Sequence, residues 1–381
     1  MTLSLESVPP TSMPARARPQ LRPARFDDYE QIARLEAALT PEASSPDDWR
    51  MLWHGSPLWP HLGKRWPIGW VLETADREIV GCIGNVPLLY HLRGEHLMAA
   101  SGRGWVVAPE YRGYALWLLD ERFNQPCVDL FIDTTIGPAA SSAFNEFSNR
   151  IPVGDWETLS YFITSYSAFA TRAMRKLNLP LARMLAPSAG AALRLKDVIL
   201  GRGFPKTHAA YNIESTDRFD SRFDTFWDEL LRQNPDKLMA ARDGATLSWH
   251  YSVSMRRGRL WILTASQNRQ LRAYCIFKRH GATADVRRMR LVDYQSIDRD
   301  VDLLPDFLAV ALRKCVAEDV CVLDKPGIGV GRTHAFDALA PYRRKQTWPY
   351  FYRAIDSGLA VELRQPKFWD PGEYDGDASI E

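Results

Sequence analysis

The sequence predicts an α/β protein with mixed sheets, arranged as two tandem copies of one fold. Its 381 residues exceed what a single hydrophobic core usually holds, which favours two domains. In the first half, apolar periodicity and turn residues give the order strand, two helices, three meander strands, helix, strand, helix, strand. The second half repeats most of this order, which is the pattern of an internal duplication.

The elements of the first half follow from local patterns. Strand patterns occur at 20–24, 68–73, 79–90, 97–107, 128–134 and 156–164, and helical spacing occurs at 27–39, 46–54 and 139–149. The run 128–134 is mostly apolar, which indicates a strand buried on both faces. The aromatic, proline-rich stretch 57–67 is predicted to be irregular and to cover an edge of the core, with a substrate-side loop as the alternative.

The segment 105–122 (WVVAPEYRGYALWLLDER) reads as a strand, a tight loop and the start of a helix. The first turn of a helix leaves backbone N–H groups unpaired and carries a partial positive charge, so it attracts phosphate. Gly113 permits close approach and Arg112 adds charge. The loop is therefore a candidate anion site, and an ordinary strand-to-helix connection is the alternative.

The same segment resembles the V-x-P-x-Y-R-G-x-G signature of the GNAT acyltransferase superfamily, whose loop binds the pyrophosphate of acetyl-CoA. Val107, Pro109, Tyr111, Arg112 and Gly113 match the signature in order. The resemblance extends over about residues 20–164. It implies a GNAT-like domain, with acetyl-CoA or another acyl-CoA as co-substrate and no metal.

The sequence departs from the family pattern at two places. Ala115 stands where a glycine is usual, and Trp117 stands where a small residue is usual, so that its indole could block or reshape the phosphate site. Gly137 and either Phe144 or Phe147 occupy the places of an Asn and of the Tyr that protonates the thiolate leaving group in many members. No hydroxyl is offered there for general-acid catalysis.

The resemblance also implies where the co-substrate would bind. The fourth and fifth strands would splay apart, the pantetheine amide would pair with the backbone of the fourth strand, and a backbone N–H would stabilise the oxyanion. The co-substrate residues implied in this way are Val106, Val107, Arg112, Gly113, Tyr114 and Ala115.

Candidates for the acid–base chemistry are few. Asp133, at the end of the buried fifth strand, is the candidate base or substrate anchor, and capping of a neighbouring helix is the alternative. His250 and Tyr251 are further candidates if they reach a cleft between the two copies.

The second half repeats the hairpin of the first: Trp70 and Leu72 correspond to Trp261 and Leu263. Its other predicted elements are helices at 219–231 and 301–316 and strands at 285–291, 320–323 and 347–354. The sequence after 285–291, VDYQSIDRD, has no glycine and three acidic residues, which would repel a pyrophosphate. The second copy is therefore predicted to be a structural or substrate-side domain. The glycines at 327–331 lack the P-loop context and are interpreted as a flexible connection.

The predicted organisation is a disordered leader (1–19), a GNAT-like domain (20–165), a helical connector (166–206) and a degenerate GNAT-like domain (207–381). The tandem arrangement also resembles the Fem-type peptidyltransferases, in which the segment 223–251, with the Trp249–His250–Tyr251 triplet, looks like the second-domain entry. This similarity concerns architecture alone.

Composition limits the partners. With 48 basic and 46 acidic residues, the net charge of +2 gives no reason to expect nucleic acid or an anionic membrane as a partner. No signal peptide or run of roughly 20 apolar residues is present, so a cytoplasmic protein is expected. The five cysteines form no CxxC pair or metal pattern and are predicted to be reduced and buried.

The predicted function is an acyl-CoA-dependent N-acyltransferase that moves an acetyl or longer acyl group to the amine of a small molecule or peptide. A non-catalytic acyl-CoA-binding or scaffold protein is an alternative that would explain Ala115, Trp117 and the missing Tyr together. A Fem-type aminoacyl transferase is the second alternative, and it would need a basic groove for tRNA. The sequence does not predict an oligomeric state.

Overall fold

The computed structural model describes residues 18–37, 44–179, 181–205, 211–280, 287–298, 301–346 and 348–380. Within these ranges the strands are β1 (Gln20–Pro23), β2 (Gly69–Glu73), β3 (Ile79–Leu92), β4 (Glu95–Val107), β5 (Leu130–Asp133), β6 (Asn149–Arg150), β7 (Asp155–Ile163), β8 (Asn212–Thr216), β9 (Met239–Ala240), β10 (Leu260–Gln267), β11 (Gln270–His280), β12 (Arg288–Ser296), β13 (Val322–Ile328), β14 (Tyr342–Lys345) and β15 (Phe351–Ala354). The predicted leader lies outside the described residues except for 18 and 19, and so do parts of the strands predicted at 285–291 and 347–354.

The helices in the same ranges are α1 (Tyr29–Glu36), α2 (Pro46–His54), α3 (Trp59–Leu62), α4 (Ala115–Phe123), α5 (Pro138–Phe147), α6 (Tyr166–Lys176), α7 (Ala182–Ile199), α8 (Ser221–Gln233), α9 (Gly244–His250), α10 (Ser252–Arg256), α11 (Leu304–Ala317), α12 (His334–Leu339) and α13 (Ser357–Glu362). Several begin at local sequence signals. Ser45 accepts the Asp48 N–H ahead of α2, and Asp243 accepts the Thr246 N–H ahead of α9. No helix in the described ranges is long and apolar enough to cross a bilayer.

Two mixed sheets form the framework and have matching strand orders. The first sheet runs β1-β2-β3-β4-β5-β15-β6, with β9 added beside β3, and the second runs β8-β10-β11-β12-β13-β7-β14. In both sheets the fourth and fifth strands are parallel to each other. The predicted α/β fold with mixed sheets and a repeated element order is thereby confirmed.

The two halves exchange their sixth strands. β7, from the first half, pairs with β13 and β14 in the second sheet, whereas β15, from the second half, pairs with β5 and β6 in the first sheet. The strand predicted at 156–164 is confirmed, and the strand predicted at 347–354 is confirmed over 351–354 only. Each of the two lies in the sheet of the other half. The predicted division at 165 and 207 stays a prediction, and strand pairing crosses it in both directions.

The stretch 57–67, predicted to be irregular, contains α3 and a 3₁₀ turn at Gly63–Arg65. This prediction was wrong because Pro60 lies in the first turn of α3, where proline is compatible with a helix. Trp66, at the end of the stretch, and Trp53 of α2 make hydrogen bonds to the sheet. The indole N–H groups of Trp53 and Trp66 both donate to the carbonyl of Asn85, at 2.8 and 3.0 Å. The segment covers the core edge as expected.

The strand predicted at 285–291 continues to Ser296, so VDYQS is part of β12 and not a loop. Asp293, one of the three acidic residues assigned to a phosphate position, is buried and pairs with Arg242 at 3.0 Å. The glycine-rich run is also ordered by contacts, since β13 reaches Ile328 and the Gly329 N–H donates to Asp337 at 2.8 Å. Residues 299 and 300 of the acidic stretch lie outside the described residues.

All five cysteines are free, and one of them, contrary to the prediction that all are buried, is exposed. Cys127 is exposed because it lies in the turn between α4 and β5, where its φ is +62°. The largest apolar cluster joins the first sheet to α8 and α9 of the second half. The halves therefore share a core as well as strands.

Candidate functional site

The parallel strands β4 and β5 separate soon after they meet. Their pairing is limited to Ala99 with Leu130 and Ala100 with Phe131, yet β4 continues to Val107 while remaining paired with β3. Residues 102–107 of β4 are half-buried. This opening, called the splay below, leaves backbone donors and acceptors of β4 available on the side from which β5 has turned away.

A β-bulge lies in the same part of β4. Cys82 pairs with Val106 and Gly84 pairs with Arg103, so β4 has one residue more than β3 across this interval. Gly104 within the bulge has φ +63°, and a β-carbon there would overlap the Glu36 carboxylate. The bulge therefore requires glycine and redirects the backbone of β4 next to the splay.

Asp133, the predicted base, lies at the splay in a two-point ion pair. Its carboxylate accepts hydrogen bonds from both terminal nitrogens of Arg122, at 2.9 and 3.1 Å, and from the Gly102 N–H at 2.9 Å. Arg122 also donates to the Ala100 carbonyl at 3.2 Å. The two side chains are buried, and together they join β4 to β5 just past the last strand pair. Sequence reasoning missed Arg122.

The loop after β4 forms the predicted strand–loop–helix. A 3₁₀ turn, Pro109–Tyr114, leads into α4 at Ala115, with Tyr111 buried as its anchor. Arg112 and Gly113 are exposed, and a β-carbon on Gly113 would meet nothing within 4 Å. In the described part of the chain no side chain caps α4, and the N–H of its first residue, Ala115, donates to the Arg112 carbonyl of the 3₁₀ turn. The positive end of the helix faces this loop.

Trp117 contacts the loop and one further cation. Its ring packs edge-on against Tyr114, with centroids 4.8 Å apart, and the Arg18 guanidinium lies 4.5 Å from the indole centroid. The indole is partly buried against the core cluster. The residue expected to obstruct the loop thus places a second arginine near the start of α4.

The C-terminal segment, 372–380, enters the splay, which no sequence pattern indicated. Asp377 is buried and accepts hydrogen bonds from the hydroxyls of Thr134 at 3.1 Å, Thr135 at 2.9 Å and Ser101 at 3.5 Å. Arg103 of β4 donates to the Ile380 carbonyl at 3.2 Å. Burial raises the pKa of the Asp377 carboxyl, and the charge of Arg103 offsets part of that shift.

The same segment also borders a cavity of about 110 Å³, which is lined by both halves. His250 and Tyr374 are on its wall, together with Leu88, Ala240, Trp249 and Gly376. His250 contacts the Ser379 hydroxyl at 2.6 Å, and burial holds the pKa of its imidazole well below the usual range, so the ring is neutral. His250 therefore reaches a space lined by both halves, which is the condition on which it was a candidate. Tyr251 is fully buried and is not among the lining residues.

The corresponding opening of the second sheet is filled. β12 and β13 pair from Arg288 to Arg290, and beyond that point the C-terminal residues 370–373 pack over the gap. The space that remains is about 30 Å³, bordered by Lys325, Arg332 and Asp370. Among the described residues there is no group of three or more side chains that could hold a metal ion.

Comparisons with known proteins agree on the fold. No protein-family model matches the chain, and no curated protein matches it. A GCN5-related N-acetyltransferase from Anabaena variabilis superposes with a TM-score of 0.53 at 12% identity, covering 89% of this chain and 73% of that one. A probable N-acyltransferase from Enterococcus faecalis gives 0.55 at 10% identity, with coverages of 89% and 73%.

N-myristoyltransferase from Saccharomyces cerevisiae, solved with bound myristoyl-CoA, also superposes, with a TM-score of 0.55 at 11% identity and coverages of 91% and 86%. At these identities the likeness concerns the fold alone. The chain has the fold shared by GNAT-type N-acetyltransferases and N-myristoyltransferase.

Proposed function

We propose that this protein is an acyl-CoA-dependent N-acyltransferase that uses the splay of the first sheet. The observation that carries the proposal is the coincidence of three features at the end of β4: lost pairing with β5 after Ala100, a bulge at Gly104, and an exposed Arg112–Gly113 turn that leads into α4 without a side-chain cap. The bound myristoyl-CoA of the yeast neighbour supports acyl-CoA as the co-substrate.

In this proposal, β4 binds one part of the co-substrate and the loop after β4 binds another part. The backbone of Val106 and Val107 would pair with the pantetheine part, because this edge of β4 has no β5 partner. The phosphates would lie on the turn at the start of α4, where the helix terminus and Arg112 both favour negative charge. The residues of this part of the site are Arg112, Gly113, Tyr114 and Ala115.

The reaction is attack of the acceptor amine on the thioester carbonyl, which breaks the C–S bond and releases CoA as the thiolate. The attacking nitrogen loses a proton, so a base is needed. Asp133 stays a proposal for that role, but Arg122 binds both of its oxygens. Asp377 is better suited, because its partners are hydroxyls and burial raises the pKa of its carboxyl.

The cavity beside His250 is the proposed position of part of the acceptor. Gly376 on its wall directly precedes Asp377, so the cavity adjoins the segment that carries the proposed base. Its lining is mainly apolar and the imidazole is neutral, which suits an uncharged portion of a small molecule or peptide whose amine points toward the splay.

Calorimetric titration of the full chain with acetyl-CoA and longer acyl-CoAs tests the co-substrate. We expect binding by the wild type, about tenfold weaker binding by Arg112→Ala, and a larger loss for Gly113→Asp, whose carboxylate would repel phosphate. Arg313→Ala, at an exposed arginine on α11, is the matched control and should bind like the wild type. Absence of heat with every acyl-CoA would refute the proposal.

Release of free CoA over a panel of amines then tests catalysis. Acyl-CoA binding without release for any amine would favour the alternative, a non-catalytic acyl-CoA-binding or scaffold protein. Transfer from aminoacyl-tRNA in the absence of any response to acyl-CoA would favour the Fem-type alternative.

A further inference from the structure

The helical hairpin formed by α6 and α7 has an exposed apolar face. The side chains on this face recur at helical spacing along α7 and at the residue before it, and they are 53–74% exposed: Leu181, Met184, Leu185, Leu195, Val198 and Ile199. The opposite side of α7 packs on α6 through Ala182, Ala186 and Gly190. The apolar face of α7 is therefore the side that does not pack on α6.

Exposed apolar side chains are concentrated in this hairpin. Of the 17 large hydrophobic residues exposed in the described part of the chain, ten lie between positions 177 and 204. Besides the α7 face, they include Leu177 and Leu179 in the turn after α6, and Leu200 and Phe204 after α7. A contiguous patch of this kind marks an interaction surface rather than the scattered exposure seen on ordinary surfaces.

The hairpin is also strongly basic. Residues 166–204 contain seven basic residues and one acidic residue, a net charge of +6, so the rest of the chain, whose total is +2, carries −4. The acidic residue, Asp197, is buried and accepts hydrogen bonds at 2.7 Å from the hydroxyls of Tyr166 and Tyr342. The exposed basic residues include Arg172, Lys176, Arg194 and Lys196, and the last two border the apolar face of α7.

We propose that α7 lies in the interface of an anionic lipid bilayer, with its apolar face among the acyl chains and its basic residues on the headgroups. An apolar helix face bordered by lysine and arginine is the pattern of interfacial helices. A second copy of this chain fits less well, because it would bring two hairpins of charge +6 together. With 18 residues, α7 is about 27 Å long and would lie along the surface.

The net charge of the whole chain gave no reason to expect a membrane partner, but the near-neutral total combines a +6 hairpin with a −4 remainder. The inference does not rest on the proposed acyltransferase activity, since it uses no residue of the splay.

Vesicle flotation of the full chain tests the proposal. We expect binding to vesicles of phosphatidylcholine mixed with phosphatidylglycerol, at least about tenfold weaker binding to phosphatidylcholine alone, and weakening with added salt. No binding of the wild type to the anionic vesicles would overturn the proposal.

Two double variants separate the contributions. Leu195→Glu/Ile199→Glu removes two apolar anchors and should weaken vesicle binding about 100-fold, and Arg194→Glu/Lys196→Glu should weaken it at least about tenfold. The matched control, Val316→Glu/Val361→Glu, changes exposed apolar residues outside the hairpin and should bind like the wild type. Thermal unfolding of each variant verifies that the fold is retained, since all these sites are exposed.

Vesicle binding unaffected by Leu195→Glu/Ile199→Glu would overturn the proposed contact. A concentration-dependent dimer that this variant dissociates, without vesicle binding, would identify a second copy as the occupant instead. Acyl-CoA titration of the same variants gives an independent readout, and failure of the acyltransferase proposal would leave the vesicle results unchanged.

Discussion

Arg122 and Asp133 form a buried ion pair across the splay, through two hydrogen bonds of 2.9 and 3.1 Å. Asp133 also accepts the Gly102 N–H, and Arg122 donates to the Ala100 carbonyl. Each side chain thus contacts β4 just where pairing between β4 and β5 ends. The separation of the two strands is held by side chains in place of backbone hydrogen bonds.

Arg122→Met should therefore destabilise the protein by about 3–5 kcal/mol, because it leaves the Asp133 carboxylate buried without its cation. The double variant Arg122→Met/Asp133→Asn, in which neither side is charged, should recover part of that loss. Urea unfolding measures both. Asp133→Asn alone should lower stability, and a variant that lost turnover at unchanged stability would instead support Asp133 as the base.

Trp117→Ala should weaken acyl-CoA binding several-fold. The indole lies 4.5 Å from the Arg18 guanidinium, so removing it releases a cation held near the start of α4. Arg18→Ala should have a similar effect on the calorimetric affinity. Tighter binding by Trp117→Ala would show that the indole obstructs the phosphate site, which is the expectation that the sequence raised.

Asp377→Asn should lower kcat about 100-fold or more with a smaller effect on acyl-CoA affinity, since it removes the proposed base and leaves the loop intact. In the wild type, activity should rise with pH through the raised pKa of this carboxyl, and the variant should lose that dependence. Asp375→Asn is the matched control, two residues away in the same buried segment. Wild-type turnover by Asp377→Asn would exclude the carboxylate from the reaction.

Stability should fall between about pH 4 and pH 6 because of Asp375. Burial raises the pKa of this carboxyl from its ordinary value of 3.8 to about 6 in the folded protein. The folded state then holds the proton more tightly than the unfolded state, so the stability from protonation is present below pH 4 and is lost as pH rises through 6. The loss is about 3 kcal/mol.

The measurement is the difference in unfolding free energy between the wild type and Asp375→Asn across this range. The unfolding free energy of the variant should increase by about 3 kcal/mol relative to that of the wild type between pH 4 and pH 7. Asp76→Asn, at an exposed aspartate, controls for the removal of one carboxylate. A difference that does not change with pH would contradict the assignment to Asp375.

The sequence predicted the strands and helices well because alternation and helical spacing are local properties. It did not predict which sheet a strand joins, because the alternation of apolar and polar residues in β7 and β15 would fit either sheet. Nor could it place Asp377 next to Thr134, since 243 positions separate the two residues along the chain. A contact of that range leaves no periodic signal in either segment.

Arg122 is a different case, because a signal was present. It follows Leu118 by four positions and Leu119 by three, and so lies on the buried face of α4. An arginine on an apolar helix face indicates a buried carboxylate partner, and Asp133 was the acidic residue at the end of the next strand. The pair could have been proposed from the sequence alone.

The strand exchange makes a further prediction about the two halves. Residues 20–165 expressed alone contain β7 but lack β15, and residues 207–381 contain β15 but lack β7. In each half alone, the fifth strand of the sheet would have an unpaired edge. The strand that joins the other sheet in the full chain would have no partner. We expect each half alone to be aggregated or without a cooperative unfolding transition, as measured by circular dichroism.

Co-expression should restore a soluble complex of the halves, because the pairs Phe351 to Asp133 and Val322 to Ile163 can form between separate chains. The full chain cleaved at a protease site inserted between the halves is the control, and it should remain associated and unfold cooperatively. A single half that unfolds cooperatively as a monomer would show that the exchange is dispensable, and that residues 20–165 or 207–381 form a domain whose sixth strand can return to its own sheet.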